Sequence, residues 1–297
     1  MFLVGIGFIQ SLMKLILWRP DVVFTKGGYV CLPVGIAARV LRISLVIHDS
    51  DAHPGLTNRI LAKWATYIAT GAPLEYYPYD RKRATYVGIP IADTFKPFSR
   101  AEQEAAKGEW GIETDKPLIV ITGGGLGAAR INRAVAHSLK KLQRLGSVVL
   151  VAGKGQYDEL RAELPADSTT FQLYPFVTNM HSLLGASDVV VTRAGATTIL
   201  ELAALQKPTI LVPNAKLTGG HQLKNAAVYE EAAATLVVNE DAMESDTSIL
   251  VEAVRSILED TEEAAAMAKR FAAFSKPNAA KDVAAMILKA RRTKHKL

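Results

Sequence analysis

Between residues 192 and 226 the chain reads TRAGATTILELAALQKPTILVPNAKLTGGHQLKNA, and this stretch holds the densest group of side chains able to do chemistry. A predicted strand over 188–192 enters a turn at Ala194-Gly195 and then a helix whose single acid is Glu201. A helix N-terminus leaves backbone N–H groups unpaired and carries about half a positive charge, which suits a diphosphate. A carboxylate one or two turns further in can accept hydrogen bonds from ribose hydroxyls. After a strand over 208–213, a polar loop brings in His221 and Gln222. Gln222 can bond a sugar hydroxyl or a phosphate, or serve as an ordinary first-turn residue. Upstream, Phe176-Val177 after Tyr174-Pro175 offers an apolar floor for a base, with core packing as the competing account. The segment points to a nucleotide-diphosphate site at the carboxyl end of a parallel sheet.

A second cluster, His48-Asp49-Ser50-Asp51, ends a predicted buried strand and leads into His53-Pro54-Gly55. Polar groups at a strand's carboxyl end face the crevice of a doubly wound fold, and His48 beside Asp49 is a candidate for proton transfer. The same residue types also form plain turns. The run 123–127, GGGLG, lies between strand and helix where phosphates bind, or where the backbone only passes close to a neighbour. It lacks GxGxxG spacing and no acid ends the next strand at Ala152, so a redox dinucleotide is not expected. GKS/T and nucleophile-elbow sequences are absent, which disfavours P-loop and serine-hydrolase chemistry.

The elements that must position these groups read as two α/β halves. In the first, strands are expected over 21–25, 44–48, 67–70 and 84–87, with helices over 33–41 and 56–65. Gly88-Ile89-Pro90 turns the chain out into a polar linker over 93–111. In the second, strands over 118–122, 148–152, 170–173, 188–192, 209–213 and 235–238 alternate with helices over 128–145, 157–164, 180–186, 196 onward and 222–233. Strict alternation predicts open parallel sheets covered on both faces. Helices over 247–258, 262–274 and 279–292 close the chain.

At 297 residues and 49% hydrophobic, the chain can bury a large core and has room for about two domains. One cysteine, Cys31, excludes a disulfide framework, and six histidines without ligand-like spacing give no metal site. The net charge of +6 favours polyanions, anionic lipid or a phosphorylated substrate. The excess gathers at Arg81-Lys82-Arg83 and in the tail at Lys289, Arg291, Arg292, Lys294 and Lys296. No aromatics interleave the tail, so nucleic acid is not an expected partner. Residues 1–17 carry only Lys14 as a charge; they are too short for a comfortable membrane span and lack a signal-peptide pattern. A helix apolar nearly all round is either buried or in contact with lipid.

Five co-linear segments together resemble the MurG family: GGYVCLPVGIAARVL, VIHDSDAHPGLTN, TGGGLGAARIN, RAGATTILELAALQKPTILVP and HQLKNA. The resemblance implies an inverting transferase that moves N-acetylglucosamine from UDP to a polyprenyl-diphosphate-linked muramyl-pentapeptide. It also implies the GT-B arrangement, two Rossmann-like domains facing across a cleft, with no metal and no cofactor. The expected division is 1–110 for the acceptor side, 111–275 for the UDP-sugar side, and 276–297 as a helix crossing back. Carried over by position, donor contacts fall at Asp51, Gly125, Val177, Gln222 and the run Ala196, Thr197, Thr198, Ile199, Leu200, Glu201. Glu201 would hold the ribose, the backbone at Gly195-Ala196 the diphosphate, and Val177 the uracil side. The apolar helix ahead of Pro20 corresponds to a patch that would meet an anionic membrane on its cytoplasmic face.

The chain departs from that pattern in places. Ala92 stands where the family has Arg, Gly125 where it has Ser, and Leu126 where it has Gln. Each change removes a donor to phosphate or base, worth about 1.5–3 kcal/mol when the partner is charged. The family's GGxGGH loop, with its proposed histidine base, has no counterpart here, leaving His48 or Asp49 as the internal candidates for the base. A fragment, a second chain supplying that segment, a non-catalytic nucleotide-sugar-binding subunit, or another lipid acceptor would each fit this departure.

Overall fold

Runs of Val, Ile and Leu flanked by turn residues produce short strands with both faces covered, and among the described residues all of the strand pairings are parallel. The structure, a computed structural model, describes residues 2–124, 128–216 and 218–294. Two compact units divide the chain, residues 1–91 with 276–297, and residues 92–275. The architecture is α/β, with one Rossmann-like parallel sheet in each unit.

The first unit opens with α1 (Phe2–Trp18), followed by β1 (Val22–Thr25), α2 (Cys31–Val40), β2 (Ser44–Asp49), α3 (Leu56–Leu61), β3 (Tyr67–Thr70) and β4 (Ala84–Tyr86). Its sheet runs β1-β2-β3-β4. Helix α1 packs on α2 but buries little of itself. Leu15 is buried, whereas Leu3, Leu17 and Trp18 are 77–83% exposed, with Ile6, Ile9, Met13 and Ile16 also open. Among the described residues no helix is long and apolar enough to cross a membrane.

The chain's last helix (Ala279–Lys294) returns to this unit and lies against β1, β2 and β3. Val283 packs with Ala69 and Val87, and the Ser44 hydroxyl donates to the Ala290 carbonyl at 3.2 Å. Arg291 pairs with Asp21 at 3.0 Å, and the Lys289 ammonium lies 4.9 Å from the Tyr67 ring centroid. Part of the basic tail is therefore engaged within its own unit; Lys296 lies outside the described residues.

The second unit begins with α4 (Arg100–Glu109), whose N-terminus is a capping box of Ser99 and Glu102. Then come β5 (Leu118–Thr122), α5 (Ala129–Leu142), β6 (Ser147–Val151), α6 (Tyr157–Glu163), β7 (Phe171–Tyr174), α7 (Met180–Ala186), β8 (Val189–Thr192), α8 (Ala196–Leu205), β9 (Thr209–Leu211), α9 (His221–Glu231) and β10 (Leu236–Val237). Helices α10 (Glu240–Ser245), α11 (Ser248–Glu259) and α12 (Thr261–Ala272) follow. The sheet order is β10-β9-β8-β5-β6-β7. Chain order reverses between β5 and β8, and ligands of doubly wound folds bind beyond the strand ends at that reversal. Ile119, Ile121, Val148, Leu150, Val189, Val191 and Phe171 form the fully buried core that holds these strands.

Elements expected from the sequence are present, with ends shifted by up to a few residues. Strand 235–238 shortens to two residues, and helix 128–145 stops at Leu142. The sequence reading missed α10, which spans only six residues and has no apolar stripe to reveal it. Its signals were an N-cap, Asn239 accepting the Ala242 N–H at 2.9 Å, and two acids in the first turn.

Candidate functional site

Thr122 and Thr192 are register partners at the carboxyl ends of β5 and β8. Beyond them opens a cavity of about 460 Å³ lined by Gly123, Gly124, Thr192, Arg193, Gly195, Thr198, Gln222 and Glu240, with Arg130, Asn214 and Lys216 on its wall. Helix α8 points its N-terminus here. Gly195 precedes it with extended backbone, and no side chain among the described residues caps the first turn. Ile199 N–H bonds the Gly195 carbonyl, so the N–H groups of Ala196, Thr197 and Thr198 come before the first intrahelical bond. The buried Thr192 hydroxyl has no hydrogen-bond partner among the described residues. Free N–H groups, a positive dipole end and a spare hydroxyl make this wall suited to an anion.

Thr198 and Glu201 sit three residues apart, on one face of α8. Glu201 is half-buried, with no ion pair or hydrogen bond among the described residues, and burial alone raises its carboxyl to about 7. A desolvated carboxyl without donors gains most from a ligand that brings hydroxyls. Ile199 and Leu200 are 0% and 2% exposed, so their side chains face the core. Of the run 196–201, Thr198 lines the cavity and Glu201 lies one turn further along the same helical face, while the Ile199 and Leu200 side chains pack inward.

Gln222, in the first turn of α9, accepts the Asn214 N–H on its Oε1 at 2.8 Å, which leaves its NH2 group for the cavity. The Asn225 amide donates to the Ala194 carbonyl at 3.1 Å and ties α9 to the turn before α8. Val177 is buried, while its neighbour Phe176 is 52% exposed with the Lys154 ammonium 5.4 Å from its ring centroid. The apolar floor expected at 176–177 is therefore one open ring beside one packed side chain. Gly125 and Leu126 lie outside the described residues.

In the first unit, β2 delivers His48 and Asp49 into the interior, 0% and 4% exposed. Gly88 has φ +80 and a side chain there would meet Lys276 at 2.6 Å, so glycine is required at this turn. Its carbonyl faces His48 Nε2 at 2.8 Å, while Nδ1 lies 3.1 Å from the Ser50 hydroxyl. A carbonyl only accepts, so Nε2 carries the proton and Nδ1 accepts from Ser50. Burial lowers the His48 pKa against the raising effect of Gly88, with the Lys26 charge lowering it further. Asp49 accepts from Tyr79 at 2.7 Å, yet burial still raises it to about 6. Asp51 is half-buried, and its backbone carbonyl accepts from the Tyr77 hydroxyl at 2.6 Å.

Four charged groups on the cavity escaped the sequence reading, Arg130, Arg193, Lys216 and Glu240. Buried Glu240 binds Arg193 Nη2, and Arg193 also donates to the Val212 carbonyl at 3.0 Å. Arg130 meets Glu240 at 3.4 Å and Glu244 at 3.1 Å. Neither pairing is local, and no short motif signals it.

Comparison with known proteins places these features in context. Residues 118–283 match the glycosyltransferase family 28 C-terminal domain, and residues 1–70 match the N-terminal domain of that family. A protein of Acetivibrio thermocellus named UDP-N-acetylglucosamine–N-acetylmuramyl-(pentapeptide) pyrophosphoryl-undecaprenol N-acetylglucosamine transferase is 36% identical over 256 residues, covering 85% of this chain and 68% of the relative. A protein of the same name from Desulforamulus reducens is 32% identical, covering 93% of this chain and 76% of the relative. The crystal structure of Acinetobacter baumannii MurG superposes with a TM-score of 0.75 at 25% identity, covering 95% of this chain and 77% of that one. A UDP-GlcNAc 2-epimerase from Neisseria meningitidis, solved with UDP-GlcNAc, shares the fold with a TM-score of 0.69 at 14% identity.

Proposed function

The chain belongs to the MurG family of glycosyltransferases, and on that footing we propose that it moves N-acetylglucosamine from UDP-GlcNAc to a polyprenyl-diphosphate-linked muramyl-pentapeptide. The observation that carries this reading is the pairing of an uncapped α8 N-terminus with the unpartnered carboxyl of Glu201 on the same helix. The first receives the diphosphate and the second the ribose hydroxyls. The Gln222 NH2 group donates to the sugar or a phosphate, and the Phe176-Val177 corner receives the uracil. Asp51 and the loop at Gly125 complete the donor contacts in this reading.

The reaction is direct displacement at the anomeric carbon. The acceptor hydroxyl forms the new C–O bond on one face as the bond to the UDP oxygen breaks on the other, which inverts the centre. Charge developing on the departing diphosphate is stabilised by the α8 N–H groups, which are already in place before reaction. The acceptor proton has a route through the half-buried Ser50 hydroxyl to His48 Nδ1, the ring nitrogen that accepts from it. Asp49, next along the strand, has a pKa shifted to about 6, toward the range useful for proton transfer. The open apolar face of α1, with Lys14 and Arg19 near it, suits an anionic membrane surface on the side where the lipid-linked acceptor is held. By the same reading residues 1–110 serve the acceptor, residues 111–275 the UDP-sugar, and the enzyme works at the cytoplasmic face.

Transfer of labelled sugar from UDP-GlcNAc to a short-chain muramyl lipid analogue tests the proposal. Transfer that is abolished by Glu201→Ala supports it. UDP binding without transfer would favour the reading as a nucleotide-sugar-binding subunit.

A further inference from the structure

Arg130 projects from the first turn of α5 onto the wall of the donor cavity, and its side chain is 17% exposed. Its ion-pair partners among the described residues are carboxylates of α10. Nη1 lies 2.5 Å from Asp241 and 3.4 Å from Glu240, and Nε lies 3.1 Å from Glu244. Asp241 and Glu244 are 68% and 42% exposed, so their hold on Arg130 is of the weak, solvent-screened kind. Glu240 is buried, but Arg193 already pairs with it. Glu244 has a second cation, Arg133, at 2.8 Å.

This arrangement makes Arg130 exchangeable. If its guanidinium turns to another anion, Glu240 keeps Arg193, Glu244 keeps Arg133, and Asp241 is left in water. No buried charge is stranded, which is the condition that normally makes breaking an ion pair costly. Each α10 carboxylate meets Arg130 through a single nitrogen, whereas a diphosphate can take two guanidinium N–H groups at once. We propose that Arg130 is a diphosphate ligand held in reserve, which leaves the α10 carboxylates for the phosphate oxygens when the nucleotide enters. The inference rests on the reading of the cavity as a UDP-sugar site. It gives the cavity a side-chain cation where Gly125 and Leu126 supply no side-chain donor.

Two sets of variants pull in opposite directions. Arg130→Gln should weaken UDP binding by about tenfold to a hundredfold in calorimetry, with uridine binding by ligand-observed NMR unchanged. The double variant Asp241→Asn with Glu244→Gln removes the competing carboxylates and should tighten UDP severalfold. Unchanged UDP affinity in Arg130→Gln, or a parallel loss of uridine binding, would overturn the proposal. So would a double variant that binds UDP no more tightly than the wild type. Failure of the wild-type chain to bind UDP would instead sink the donor-site reading itself, and this inference with it.

Discussion

The Oε1 of Gln222 accepts the backbone N–H of Asn214 at 2.8 Å, so the amide cannot flip without losing that bond. Its orientation toward the cavity is set before any ligand arrives. Gln222→Glu keeps an acceptor for Asn214 but turns a carboxylate oxygen toward the diphosphate. UDP-GlcNAc affinity should fall by about 1.5–3 kcal/mol, with the melting temperature nearly unchanged. Calorimetry alongside a thermal melt separates the two effects, and a matched fall in both would speak for a purely structural role.

Glu201 titrates near 7 because burial disfavours its charge. A carboxyl raised from 4.5 to about 7 makes the folded state bind more protons than the unfolded state between those values. Stability therefore falls as pH rises through that window and stays lower above it. Glu201→Gln removes this penalty, so the variant should melt higher than wild type at pH 8 and match it at pH 4. Its UDP affinity should be lower at pH 8, with the gap narrowing as the wild-type carboxyl protonates below about pH 7. Equal UDP affinity of the two proteins at pH 8 would remove Glu201 from the ribose site.

Tyr79 donates to Asp49 at 2.7 Å and offsets part of the burial penalty that raises this carboxyl to about 6. Without that bond the Asp49 pKa climbs further. Tyr79→Phe should cost about 1.5–3 kcal/mol at pH 8, where Asp49 is ionised, and less at pH 4.5, where it is protonated. Urea unfolding at the two pH values reads the difference; a loss independent of pH would mean the hydroxyl matters for packing alone.

Gly71 follows β3 where a Cβ would stand 2.5 Å from the Ser50 carbonyl oxygen and 2.9 Å from Ile89 Cγ1. Backbone cannot yield as a flexible side chain does. Gly71→Ala should destabilise the protein by about 1–3 kcal/mol and displace Ser50 from His48. Retained stability together with an unshifted His48 imidazole signal in NMR would contradict this account.

Leu3, Leu17 and Trp18 stand on the open face of α1. Replacing Leu17 and Trp18 with Ser should leave the melting temperature unchanged, because both are at least 80% exposed. Co-sedimentation with phosphatidylglycerol vesicles should drop severalfold, since each side chain carries about 1.5–3 kcal/mol of burial energy. Undiminished vesicle binding would assign the face to another partner.

Local chemistry in the chain determined the elements and helix α8 with its acid. The buried strand runs, the turn at Gly195, Glu201 five residues into a helix and Gln222 at the next helix start all depend on near neighbours, and a linear reading finds them. Tertiary structure alone decided which of those groups are left open and which are packed away. Ile199 and Leu200 share a helix with Glu201 yet point inward, because the packing of α8 on the sheet, not spacing, selects the face. His48 stands at a strand end in either reading, but only the fold brings the Gly88 carbonyl, 40 residues on, to Nε2 and so leaves Nδ1 to the Ser50 hydroxyl. Arg130 and Glu240 are 110 positions apart in numbering, and their meeting depends on sheet order bringing α5 beside α10. Ion pairs and desolvation act through space, so neither leaves a periodic trace along the chain.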